Sequence, residues 1–269
     1  MKYMEPKTLE EHRDYLYRIV QLKLFFLHRH LSTHPEEAFS NAIRNRVDIY
    51  RKTDANPEGL NPVTLHFDEH PWLDMERAAE KLWEKDKDDP ASFEQEAFQV
   101  FKPSIDARLI RDYQDRSGTY GYQCGSLRHA FVEDKKTGRR TLYFHIANAI
   151  APHSIFEDPK YLKLCFSMLL WTAENMYQAD EIATRTWLNQ LPVWLRFFPE
   201  EWKAGMSSPD TDVQWHYGFW GQFISARGTF NGKYAAQLRA TGRLPYYPCF
   251  AHCSVKAMRT HLNSCMQEA

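Results

Sequence analysis

Arg140-Thr-Leu-Tyr-Phe-His-Ile-Ala-Asn148, Pro159-Lys-Tyr-Leu-Lys-Leu-Cys-Phe-Ser-Met-Leu-Leu-Trp-Thr-Ala-Glu-Asn-Met-Tyr177 and Glu181-Ile-Ala-Thr-Arg-Thr-Trp-Leu188 follow one another with short gaps between them. The outer two are short and rich in aromatic and β-branched residues, which predicts strands. The middle one is long enough for a helix, with Asp158 at its N-cap and Pro159 in its first position. Strand, helix, strand in this order predicts a sheet with a crossover helix on it. Upstream, residues 120–133 read as a further strand. Asp134-Lys-Lys-Thr-Gly-Arg139 reads as a hairpin turn, with Gly138 supplying the unusual dihedral. Downstream, Leu191-Pro-Val-Trp-Leu-Arg-Phe-Phe198 begins a short helix.

The first hundred residues have a helical texture. Thr8-Leu-Glu-Glu11 has the form of a capping box, and Tyr15, Ile19, Leu22 and Phe26 recur behind it at helical spacing. A second helix is expected from residue 35 toward 49, with Phe39, Ile43 and Val47 on one face. A third is expected over 71–87 and a short fourth over 93–101. The last third reads as aromatic helix and loop, closing on an extended connector at 242–248 and a terminal helix over 254–267. The predicted fold class is α+β: a helical N-terminal part, a mixed sheet with a crossover helix, and an aromatic helical C-terminal region. Two subdomains, 1–110 and 111–269, fit this pattern, and so does a single α+β domain.

A chain of 269 residues can bury a sizeable core. A net charge of -1 gives no overall pull toward nucleic acid or an anionic membrane, so neither is expected as a partner. The most apolar stretch, 161–171, is too short to span a bilayer. The first residues lack the apolar run of a signal peptide, which predicts a cytoplasmic protein. Five cysteines, an odd number, point to reduced thiols. Aromatic residues reach 14% and favour a broad aromatic core or a ligand cleft.

The block 142–202 carries a resemblance. It contains His145-Ile146, a helix, then Trp187-Leu188 at the end of a strand and Leu191-Pro192 at the start of a short helix. This resembles the C-terminal part of the GNAT-like acyltransferases and covers about a quarter of the chain. The resemblance implies a coenzyme A-dependent enzyme that moves an acyl group to an amine or hydroxyl of a small molecule. One feature departs from it. That family cradles the pyrophosphate with a Gly-rich turn, and Asn148-Ala-Ile-Ala-Pro-His-Ser-Ile-Phe156 has no glycine. No cofactor-binding residue is therefore assigned.

Residues 212–227 pack two Trp, a Tyr, two Phe, a His, two Gln and an Arg into one run. Apolar bodies with polar tips suit a pocket wall, and aromatic stripes at helical spacing equally suit a core helix. A pocket is expected between the strand end at 143–148 and the segment 215–227. There His145 and His216 are the candidate general bases, since imidazole titrates near neutral pH. Asn148, Trp187, Trp215, Trp220, Gln222 and Arg227 are the candidate substrate contacts. Each also has a plain structural reading, as a core aromatic, a turn former or a buried hydrogen-bonding group. Cys249, Cys253, His261 and Cys265 form a metal-like constellation, but C-x3-C departs from the common C-x2-C, and no metal site is assigned. Cys124 reads as a nucleophile or as an inert buried thiol. Two other function classes stay open: a non-catalytic protein with an aromatic small-molecule cleft, and a module that forms homo-oligomers through its aromatic surface.

Overall fold

The structure is a computed structural model that describes residues 5–59, 62–115 and 122–267, with side chains through Ser264. Helix α1 (Leu9–Thr33) opens on the expected capping box: Thr8 Oγ1 accepts from the Glu11 amide at 3.2 Å, and the Glu11 carboxylate accepts from the Thr8 amide at 2.8 Å. Helix α2 (Phe39–Asn45) is shorter than the sequence suggests. Its would-be first turn is drawn away because the Glu37 carboxylate takes bonds from His30 and Arg46. Phe39, Ile43 and Val47 are nonetheless all buried. Helix α3 (Trp72–Lys85) lies close to its expected bounds.

Helix α4 (Pro90–Gln114) corrects the short helix expected over 93–101. It runs through Pro103 and ends at Gln114. Proline costs a helix about 3 kcal/mol in isolation. Here Phe93, Ala97, Phe101, Ile105 and Leu109 form one buried stripe against α1, and that packing overrides the local break.

The sheet has the order β1 (Leu127–Glu133), β2 (Arg140–Ile146), β3 (Glu181–Thr186), β4 (Cys249–Ser254). β1 and β2 form the expected antiparallel hairpin, with Gly138 at φ 70° in its turn, but β1 is shorter than the strand expected over 120–133: a turn at Cys124–Leu127 precedes it, and residues 120–121 lie outside those described. β2 and β3 are parallel, joined by the crossover helix α5 (Pro159–Asn175). β4 was not anticipated. Cys249, Ala251 and Cys253 alternate inward from it, so the metal-like spacing is the period of a half-buried strand. The inner face is covered by α5, by α6 (Pro192–Leu195) and α7 (Glu200–Ala204), and by α9 (Val255–Gln267). Phe144, Phe166, Trp194, Phe198 and Trp202 stack there, each buried. Asn189 joins this layer to the sheet: its Oδ1 accepts from the Trp194 and Trp202 indoles, and its amide donates to Cys249 O at 2.8 Å.

Residues 212–227 are not one helix. Two 3-10 turns, Trp215–Tyr217 and Phe219–Phe223, are separated by Gly218 at φ 72°. Val213, Phe219, Trp220 and Phe223, with Leu238 of helix α8 (Gly232–Thr241), bury themselves in the helical core of α1–α4. The chain thus leaves the helices at residue 115, builds most of the sheet, and returns to them before adding β4. Two apolar cores result, one helical and one beneath the sheet.

Candidate functional site

Most residues expected to face a ligand are engaged within the fold. Trp220 donates to Arg46 O at 3.2 Å and packs edge-on against Phe26. Gln222 is 1% exposed; its amide donates to Phe219 O and Tyr246 O, and its Oε1 accepts from the Tyr246 amide at 3.0 Å. Arg227 turns toward the start of α1, bonding Glu5 O and the Glu11 carboxylate. Asn148 donates to His153 O and Ala226 O, so the two expected pocket walls do meet, but through a structural tie. Trp187 stacks on Tyr246. Trp215 lies under Arg51 at 4.4 Å and borders a surface crevice with Tyr50, Phe67 and Val47. Trp215, Trp220 and Arg227 thus tie the aromatic run to the helical half, and Asn148 and Trp187 join it to the sheet half.

His145 and His216 are different. Both are exposed. Strand alternation puts Phe144 on the inner face and His145 on the outer face, beside Tyr143 and opposite Arg128 of β1. The β2–β3 ladder joins Thr141–Tyr143 to Glu181–Ala183 and then stops, although both strands continue. Beyond the last paired residues Thr184 Oγ1 still donates to Phe144 O, and His145 and Arg185 follow on the two strands. Phe250 lies near Tyr143, and the Arg185 guanidinium lies over the Tyr217 ring at 4.7 Å and pairs with Asp210. His216 packs edge-on against Tyr217, close enough to Arg185 to feel its charge.

Both imidazoles are held below their ordinary value. For each, loss of surrounding water is the first cause and a neighbouring guanidinium the second: Arg128 for His145, Arg185 for His216. Among the described residues, neither ring has a hydrogen-bond partner, and the Arg128 guanidinium has no ion pair. The outer face therefore presents neutral imidazoles able to take a proton, and an unengaged cation beside one of them.

A second polar cluster, absent from the sequence reading, lies inside the helical half. His12 Nε2 is 2.9 Å from Asp112, and Lys52 is 3.2 Å from the same carboxylate. Lys23 donates to Asp48 O at 2.6 Å, and Arg51 pairs with the Asp48 side chain. Burial pulls the Lys23 ammonium down to about 8. Burial opposes the charge on Asp112, but Lys52 and His12 outweigh it and hold that carboxyl well below the ordinary range. Burial also keeps His12 neutral below its ordinary value, and its Nδ1 has no partner. His12 and Lys52 are 100 and 60 residues from Asp112, and Lys23 is 25 from Asp48, so no local spacing announces these partners; the signal in sequence is Lys23 within the apolar run 22–27.

The residues before α5 do not fit a coenzyme A pyrophosphate. The Ser154 amide bonds the Glu157 carboxylate, the Phe156 amide bonds Ser154, and Asp158 caps α5 through the Lys160 amide. Amides that could cradle an anion are already used there, and two carboxylates occupy the helix entrance. Cys124 is buried with its thiol pushed up, which makes it inert. Cys253 is pushed up to about 12 by burial and by nearby Glu201 and Glu181. Among the described residues no three metal-ligating side chains gather, and the Cys265 side chain lies outside them. Within the same bounds, no helix is long and apolar enough to cross a membrane. No known family model, curated protein or solved structure matches the chain.

Proposed function

We propose that the protein is an enzyme acting on a small anionic molecule held at the outer face of the sheet, with His145 as its general base. The supporting observation is the neutral, unengaged imidazole of His145 opposite the unpaired guanidinium of Arg128. Acyl transfer to an amine or hydroxyl is the reaction that the resemblance implies. In it the His145 imidazole takes the acceptor's proton as the acceptor attacks the acyl carbonyl, and the proton then passes to the leaving group. Arg128 would hold the anionic part of the substrate, with Tyr143 and Phe250 offering ring faces beside it. No step is routed through coenzyme A, because the α5 entrance does not suit its pyrophosphate.

The test uses p-nitrophenyl acetate as an acyl donor that needs no cradle, together with acetyl-coenzyme A and coenzyme A in thermal-shift titrations. Turnover of the ester should fall roughly 10²–10⁴-fold in His145→Ala, the usual contribution of a general base. Arg128→Ala should raise KM for anionic esters more than it lowers kcat. Unchanged turnover in His145→Ala would remove His145 from the chemistry. A saturable shift with coenzyme A would show that its pyrophosphate is bound despite the α5 entrance.

A further inference from the structure

The crossover helix α5 leaves an apolar stripe uncovered. Leu162, Cys165, Phe166, Leu169 and Leu170 face the sheet and are buried. On the opposite side Leu164 is 58% exposed, Met168 40% and Trp171 57%. These three are spaced i, i+4, i+7 and share one face of the helix. Single exposed apolar residues need no explanation, whereas a contiguous stripe that includes Trp and Met has the composition of an interface.

The charges at its ends indicate the occupant. Lys160 is exposed in the first turn of α5, and Glu174 stands in the last turn. Both signs oppose the helix dipole, which favours acidic groups at the N-terminus and basic groups at the C-terminus. Glu174 is paired with Arg259 at 2.7 Å, while Lys160 has no ion pair among the described residues. An antiparallel copy of the same helix sets the Lys160 ammonium against the negative end of the partner's helix dipole. With a two-fold axis beside Met168, Leu164 meets the partner's Trp171, and Lys160 comes to the end that carries the partner's Glu174. The pattern is thus self-complementary, as a two-fold interface requires.

We propose that α5 is a homodimer interface, in which two copies of this chain pack their Leu164–Met168–Trp171 stripes antiparallel. The stripe is only about two turns long, so the dimer is weak, with a dissociation constant on the order of micromolar. This inference is independent of the chemistry proposed for the outer sheet face, because α5 lies on the other face.

Sedimentation velocity of the full chain across the micromolar range tests it. The expected result is a reversible monomer–dimer equilibrium that Trp171→Glu weakens at least about tenfold, with an unchanged circular dichroism spectrum and an unchanged melting temperature at concentrations where both chains are monomeric. Met168→Cys, placed at the axis, should form an intermolecular disulfide under mild oxidation that the native chain does not form. A chain that stays monomeric throughout the range would overturn the proposal. So would a dimer indifferent to Trp171→Glu. Stripe-dependent binding of the monomer to anionic lipid vesicles would assign the same face to a membrane surface and overturn it equally.

Discussion

Asp112 receives His12 and Lys52 in a site closed to water, with its own side chain 1% exposed. Arg108 stands a further step away at 4.0 Å. Removing one partner of a buried ionic group leaves the others uncompensated, so Asp112→Asn should cost about 3–5 kcal/mol in urea unfolding. The pH dependence follows from the directions of the shifts. Asp112 is depressed in the fold, so its contribution is present above the unfolded value of about 3.9 and is lost as pH falls through that value toward the folded one. His12 is depressed too, so the unfolded chain takes up a proton first, and stability should already decline below about pH 6.5. The gap between the native chain and Asp112→Asn should narrow below about pH 4; a gap constant from pH 7 to 3 would place Asp112 outside this network. Gln222, Asn148 and Arg227 look in sequence like groups awaiting a ligand. Their partners, Tyr246, Ala226 and Glu11, are contacts that only the folded chain makes. Gln222→Leu should therefore cost about 1–3 kcal/mol for each buried group it leaves unpaired, and leave turnover at the sheet face unchanged.

Elements with a strong local signature were readable. The Thr8 capping box, the Gly138 hairpin and the Asp158-Pro159 helix start all appear where sequence puts them. Two elements were hidden because tertiary contacts decide them: α4 continues past Pro103 on the strength of its buried stripe, and β4 fills its inward positions with Cys249, Ala251 and Cys253, which are not β-branched or aromatic. The aromatic run 212–227 misled through its apparent helical period, since Gly218 in the left-handed region interrupts it. A Cβ at Gly218 would meet no atom within 4 Å, so Gly218→Ala isolates the backbone cost, expected at about 1–2 kcal/mol. Gly232, at the start of α8, also has open space around it but an ordinary backbone. Gly232→Ala should instead stabilise by about 0.4–1 kcal/mol. Equal effects at the two positions would contradict the assignment of Gly218 as the break between the two turns.

At the scale of the whole molecule, the strand–hairpin–strand–helix–strand order was enough to place β1, β2, the crossover helix α5 and β3, three of the four strands of the mixed sheet. Sequence did not show that residues 213–247 leave that sheet and rejoin the helical core, because an aromatic run packs equally well against either layer. The consequence is functional. With the aromatic run taken up by the helical core, the outer sheet face stays open, and His145 and His216 are the candidate bases exposed beside it. Nuclear magnetic resonance titration of the histidine Cε1 protons tests this most directly. Both His145 and His216 should titrate below about 6.5, and Arg128→Ala should raise the His145 midpoint while leaving that of His216 in place. A His145 midpoint at or above the ordinary value, or one indifferent to Arg128→Ala, would contradict a neutral base poised beside an unpaired guanidinium.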